Sequence, residues 1–170
     1  MTYKILHIAQ QELFRLPEVK NFLRISHDYD DPWVVSLIDS SIEAAENFLR
    51  LSLLPRRITM QVNNPNGWHF RLPLAPIAEI TALKYHKGEM SQDVAKYDVS
   101  DDILKIGNLP AYEHITVEYV AGYIDQRSIP SAIKQGIMLH TAQNYDSHGT
   151  DVALSDEVQK LYQPYRRMRV

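Results

Sequence analysis

Apolar residues recur at three- and four-residue steps near both ends of this chain and at two-residue steps in its middle. That change of period limits what the chain can fold into more than any other feature, because 3.6 and 2.0 are the repeats of helix and strand. In DPWVVSLIDSSIEAAENFLRLSLLP, residues Val34, Leu37, Ile38, Ile42, Ala45, Phe48 and Leu49 make one helical stripe. Asp31 stands where a helix cap is wanted, Pro32 suits the first turn, and Pro55 closes the run. Ser36, Asp39, Ser40, Glu43, Glu46 and Asn47 fall on the polar face. A shorter helix is predicted in LPEVKNFLRI, with Pro17 in its first turn and Val19, Phe22 and Leu23 at helical spacing. Toward the other end, SAIKQGIMLHTAQNY follows Pro130, and Ser155 caps SDEVQKLYQPY, which Pro164 interrupts.

The middle reads as strands. RRITMQV and WHFRL flank the turn residues NNPNG, which predicts a hairpin. PLAPIAEITALKYHKGE supplies a further strand ending in a Lys87-Gly88 turn, then YDVSDDILKIGNLP and ITVEYVAGY give shorter extended pieces. In the last of these Ile115, Val117 and Tyr119 alternate strictly onto one face. Gly122 is placed to take a backbone conformation costly for other residues, and Pro130 helps to set the next helix start. The expected class is α+β, a mainly helical body formed by N- and C-terminal helices with a central small antiparallel β-sheet insertion of four to six strands. Helices are expected over about 16–51 and 130–163, the β region over about 56–121, and a C-terminal arm over about 164–170.

At 170 residues the chain reads as a single domain, long enough to bury roughly 70% of its unfolded surface without disulfides or metals. With 45% hydrophobic and 23% charged residues it is composed to fold. Having no cysteine, it lacks disulfide frameworks, Cys-rich zinc sites and thiol nucleophiles, which favours a reducing compartment. No apolar run approaches the roughly 18 residues needed to span a bilayer, and the first 20 residues have no signal-peptide pattern, so a soluble cytosolic product with no membrane partner is expected. A formal net charge of −3 exerts no global pull toward nucleic acid.

No catalytic grouping stands out. The seven histidines show no HExxH or other tight ligand spacing, and the chain has no phosphate loop and no nucleophile–base pair, so neither an enzyme nor a metal or cofactor site is expected. His140, Asp146, His148 and Asp151 have suitable donors for a cation across a loop, but a polar loop is the preferred reading. Asp28, Asp30 and Asp31 begin like a calcium loop without its later glycine and bidentate glutamate, so they read as a solvated helix start.

Several landmarks occur in an order that resembles the head-tail connector proteins, the adaptors or head-completion proteins of tailed bacteriophages and prophages. They are LPEVKNFLRI, the acidic DYDD before AENFLRLSLLPRRITMQV, LPLAPIAEITALKY, KYDVSD, VEYVAGYIDQRSIPSAIKQGIMLHTAQNY and the terminal LYQPYRRMRV. The resemblance spans nearly the whole chain, and its specificity lies in the ordered set rather than in any one piece. Two departures stand out: Tyr145 is followed by Asp146, Ser147 and His148 where an arginine is usual, and MTYKILHIAQQELFR precedes the first helix.

The resemblance implies a structural virion protein. It would form a ring, dodecameric on the portal, that connects the DNA-filled head to the next tail or stopper protein and extends the channel, with DNA only as channel content. Assembly would occur in the bacterial host cytoplasm and end at the virion head-tail junction. Within that expectation the candidate subunit interface is Trp33, Val35, Ala44 and Ala45, where the apolar stripe of the long helix is broad. The candidate portal-docking arm is Tyr165, Arg166, Arg167, Met168, Arg169 and Val170, expected to acquire order on contact. Between Asp28 and Leu49 there are six acids and no Lys or Arg, a charge pattern opposite to that of the arm and suited to registering neighbouring copies. The alternative is a small nucleic-acid-binding or DNA-packaging-associated protein, which the terminal arginines with Tyr162 and Tyr165 would support.

Overall fold

The two sequence periods separate into two units, one made of 1–10 and 54–124, the other of 11–53 and 125–170. The computed structural model describes residues 2–8, 12–63, 69–107, 109–148 and 153–167. All strands fall in the first unit and all α-helices in the second. The α+β class therefore holds, while the mainly helical emphasis does not, since strands take nearly as much of the chain as helices.

In the strand unit, β1 (Thr2–Ile8), β2 (Arg56–Asn63), β8 (His114–Ala121), β4 (Ile77–Lys87) and β5 (Met90–Asp93) lie in that spatial order in one antiparallel sheet. A second antiparallel sheet takes β3 (His69–Arg71), β7 (Ile103–Ile106) and β6 (Tyr97–Ser100) in that order. Ile58, Met60 and Val62 of β2 and Ile115, Val117, Tyr119 and Ala121 of β8 point to one face and are buried with Phe70, Leu104 and Ile106 of the smaller sheet. Two sheets thus share one core, which is what strict alternation on β2 and β8 allows. The Lys87-Gly88 turn joins β4 to β5, with Gly88 at φ +57°.

Two strand expectations give way. The hairpin of RRITMQV with WHFRL does not form: β2 pairs with β1 and β8, and β3 pairs with β7 of the other sheet. Strand partners are chosen by which apolar faces meet, and turn residues between two strands do not fix that choice. Residues 64–68 of the expected turn lie outside the described residues. The count of four to six strands in one sheet is also short, since among the described residues eight strands form two sheets. The extra members are β1, whose residues Thr2–Leu6 are exposed, and β5, exposed throughout, so neither carries an alternation to read.

Gly122 follows β8 at φ +106°. A Cβ there would stand 2.3 Å from the carbonyl oxygen of Leu54, so both conformation and close approach require glycine, as its place in AGY leads one to expect.

The helical unit contains α1 (Leu16–Leu23), α2 (Asp31–Leu49), α3 (Ser131–Asp146) and α4 (Asp156–Tyr162). Val34, Leu37, Ile38, Ile42, Ala45 and Leu49 of α2 are buried, as are Ile133 and Ile137 of α3 and Val158 and Tyr162 of α4. Val19 of α1 is buried while Phe22 stays exposed. Ser155 caps α4, its hydroxyl accepting the Val158 N–H at 3.4 Å. Both α1 and α2 stop on an arginine in the left-handed region, Arg24 at φ 59° and Arg50 at φ 58°. The segment DQRS between β8 and α3 is a 3-10 turn, Gln126–Ser128, with the Asp125 carboxylate accepting the Arg127 N–H at 2.9 Å.

Candidate assembly surfaces

A helix turns 100° per residue, so the four candidate interface residues of α2 occupy three different positions around its axis. Ala45 lies in the middle of the buried stripe and is fully enclosed within the helical unit. Trp33 and Ala44 share one flank of that stripe, about 16 Å apart along the axis, and Val35 lies on the opposite flank. Trp33 and Val35 are 42% and 43% exposed, and Ala44 is half-buried. The small size of Ala45 thus serves packing inside the unit, and the exposed apolar residues form two flanking surfaces rather than one patch.

The acidic start of α2 is not a bare charged surface. Lys20 of α1 bonds the carboxylates of Asp28 and Asp31, the latter at 2.6 Å. Those bonds, to Asp28 first and then Asp31, raise the Lys20 pKa, and the same ammonium lowers that of Asp28. Asp30 accepts the hydroxyl of Tyr145 at 2.8 Å, which raises the tyrosine pKa. Asp31 begins the helix rather than capping it, and Asp30, the residue before it, turns its carboxylate to Tyr145 instead of the helix amides. Glu46 is buried, its Oε1 accepting the Leu53 N–H at 2.7 Å, so it leaves the polar face where sequence spacing puts it. Of the six acids, Asp39 and Glu43 remain as exposed charges on α2. The broad acidic register surface expected from sequence shrinks accordingly, because most of these carboxylates are spent within the unit.

The C-terminal arm is docked as far as it is described. After the 3-10 turn Gln163–Tyr165, the Arg166 guanidinium lies 4.7 Å above the Phe48 ring, and the Arg167 N–H donates to the Leu49 carbonyl at 3.0 Å. That amide satisfies one of the carbonyls left open where α2 ends. Tyr165 is 37% exposed, and Met168, Arg169 and Val170 lie outside the described residues. Arg166 and Arg167, then, are held against the end of α2. The cause is the half-buried Phe48 ring and the open helix end, which sequence spacing did not bring next to residue 166.

His140 is buried in α3, its Nε2 3.2 Å from the Asn144 side-chain nitrogen, whereas Asp146 and His148 are exposed. Asp151 lies outside the described residues, and among the described residues no group of three His, Asp or Glu side chains is arranged to hold a metal. In the strand unit His86 and His114 stack across β4 and β8 with centroids 4.3 Å apart, and burial first, then the charge of His114, lowers the His86 pKa. A surface that sequence reasoning missed is on β1, where Tyr3, Ile5 and Leu6 are 49%, 40% and 50% exposed.

Comparison with known proteins bears on both units. No curated protein matches the chain. A chain in the neck of an empty gene transfer agent particle, computed with C6 symmetry, is similar over 100% of this chain and 97% of its own, with TM-score 0.79 at 20% identity. A chain in the virion of a native gene transfer agent particle has TM-score 0.78 at 20% identity over the same shares. A third, from the neck of a native particle computed with C12 symmetry, has TM-score 0.74 at 22% identity, again over 100% and 97%. These likenesses establish the fold. The family model described as head completion protein matches residues 12–151, which takes in most of the chain. The protein therefore belongs to the head completion protein family and is a structural protein of the head-tail connector class.

Proposed function

We propose that the protein works without catalysis as one subunit of a ring at the head-tail junction, between the portal and the next tail or stopper protein. The observation that carries this reading is the family match over 12–151 together with a fold shared along the full chain with neck proteins of particles computed with C6 and C12 symmetry. In this reading the two units act together as a single connector domain. Twelve copies are expected on the portal, assembled in the host cytoplasm, with DNA as channel content.

A subunit in a closed ring meets two neighbours through two different surfaces. The two flanks of α2, Trp33 with Ala44 and Val35 opposite, are suited to that, with Ala45 setting the helix in its own unit. Tyr165, Arg166, Arg167, Met168, Arg169 and Val170 form the arm proposed to dock on the portal, the last three lying outside the described residues. Electron microscopy of the purified protein, alone and mixed with a portal protein, tests the proposal. Closed rings or portal capture are expected, and Trp33→Glu should weaken assembly more than folding. A monomer that ignores the portal and binds DNA in a salt-sensitive, sequence-independent way would replace this reading with the nucleic-acid-binding one.

A further inference from the structure

Resting on the ring reading above, we propose that neighbouring copies join their five-stranded sheets, the outer edge of β1 in one copy adding to the outer edge of β5 in the next. β1 and β5 are the two ends of that sheet, so among the described residues each subunit presents two different edges with no further strand on them. Open edges pair with further strands unless covered, and two different edges on one chain give a head-to-tail contact of the kind that closes rings.

The side chains favour this occupant face by face. Tyr3 and Ile5 pair with Met60 and Ile58, both fully buried, so they lie on the core face of the sheet. They nevertheless remain about half exposed, an apolar ledge running beyond the core. On β5, Met90 is opposite Lys87 and Gln92 opposite Tyr85. Tyr85 pairs with buried Ile115, so Met90, itself 62% exposed, belongs to the same core face. The other face carries Lys4 on β1 and Asp93 on β5. Setting the two edges side by side with core faces continuous makes the joined strands parallel, and with Lys4 opposite Asp93, Tyr3 stands opposite Gln92 and diagonal to Met90, while Ile5 stands opposite Val94. Apolar meets apolar on one face, and opposite charges meet on the other. β1 lies outside the 12–151 that the family model matches, although the neck chains of similar fold cover it.

The chain has no cysteine, which makes a crosslinking test clean. Directly paired strands hold Cα atoms about 4.5–5.5 Å apart, within disulfide reach. In the full chain, the double variant K4C/D93C should give a ladder of covalent oligomers beyond the dimer on mild oxidation, and neither single variant should. Ile5→Lys, at an exposed position, should cut ring formation at least tenfold in concentration dependence with little change in thermal unfolding. A covalent dimer from K4C alone would mean that two β1 strands pair with each other, and overturns the proposal. So do intact rings in the microscope without a ladder, which leave the ring reading standing on another interface. A chain that neither crosslinks nor forms rings, alone or with portal, overturns both.

Discussion

The ring of Tyr162 in α4 lies directly on Gly136 of α3, so close that a Cβ on the glycine would stand 2.3 Å from Cε1 of the tyrosine. Alanine in mid-helix normally gains about 1 kcal/mol over glycine. Here the fully buried ring has no room to withdraw, and overpacking costs about 1–3 kcal/mol or more. The steric cost wins. Gly136→Ala should lower Tm by roughly 3–8 °C. Tyr162→Phe should be neutral or slightly stabilising, because among the described residues the buried hydroxyl has no hydrogen-bond partner. Calorimetry of the two variants checks both signs.

Gly122→Ala should be more damaging than Gly136→Ala. The obstacle at Gly122 is backbone, the Leu54 carbonyl, and φ +106° lies where L side chains are strained. Neither can be relieved by a rotamer change. Loss of roughly 3 kcal/mol or more is expected, read as a lowered denaturant midpoint for the strand unit. A Gly122→Ala protein as stable as the parent would show that the chain takes another path after β8.

Alkali should unfold the protein from inside. Burial pushes the Tyr119 pKa from 10 up to about 12, and it pushes Tyr162 up as well. Each group binds its proton more tightly folded than unfolded, so the stability it contributes is whole below pH 10. It is lost as pH rises from there through the folded value. For Tyr119 the shift corresponds to on the order of 2–3 kcal/mol. Titration followed by phenolate absorbance and circular dichroism should show the last tyrosines ionising together with loss of structure. Smooth ionisation of all ten tyrosines in a still-folded chain would contradict the burial of both.

What could be read from sequence was whatever repeats along the chain. The stripe of α2 and the alternation of β8 each bury one face, and each was visible as a period. Pairing was not, because β2 takes β1 and β8 as neighbours for reasons of shared core rather than of adjacent turns. Helix ends at Arg24 and Arg50 were also hidden, since the left-handed cap usually announces itself with glycine. The candidate surfaces were legible as residue types only. Trp33 and Val35 are exposed as expected, yet Ala45 is core and the acids around Asp30 are mostly paired, and those facts depend on Lys20, Tyr145 and Leu53, which come from elsewhere in the chain.

The end of the chain gives the last prediction. Arg166 stacks on Phe48 in an exposed setting, where a cation–π contact stabilises by about 0.5–1 kcal/mol. The Arg167 amide on the Leu49 carbonyl adds the ~0.5–1.5 kcal/mol net of an ordinary hydrogen bond. Removing everything after Gln163 should therefore cost about 1–2 kcal/mol, a fall in Tm of a few degrees, while α1 to α4 stay folded around the buried Tyr162. Arg166→Ala should account for less than half of that, and Arg167→Pro, which removes the amide donor, for much of the rest. Thermal unfolding of the three variants separates the contributions. An unchanged Tm after truncation would mean that the docked arm is not held in solution, whereas a collapse by tens of degrees would place residues 164–170 in the core of the helical unit.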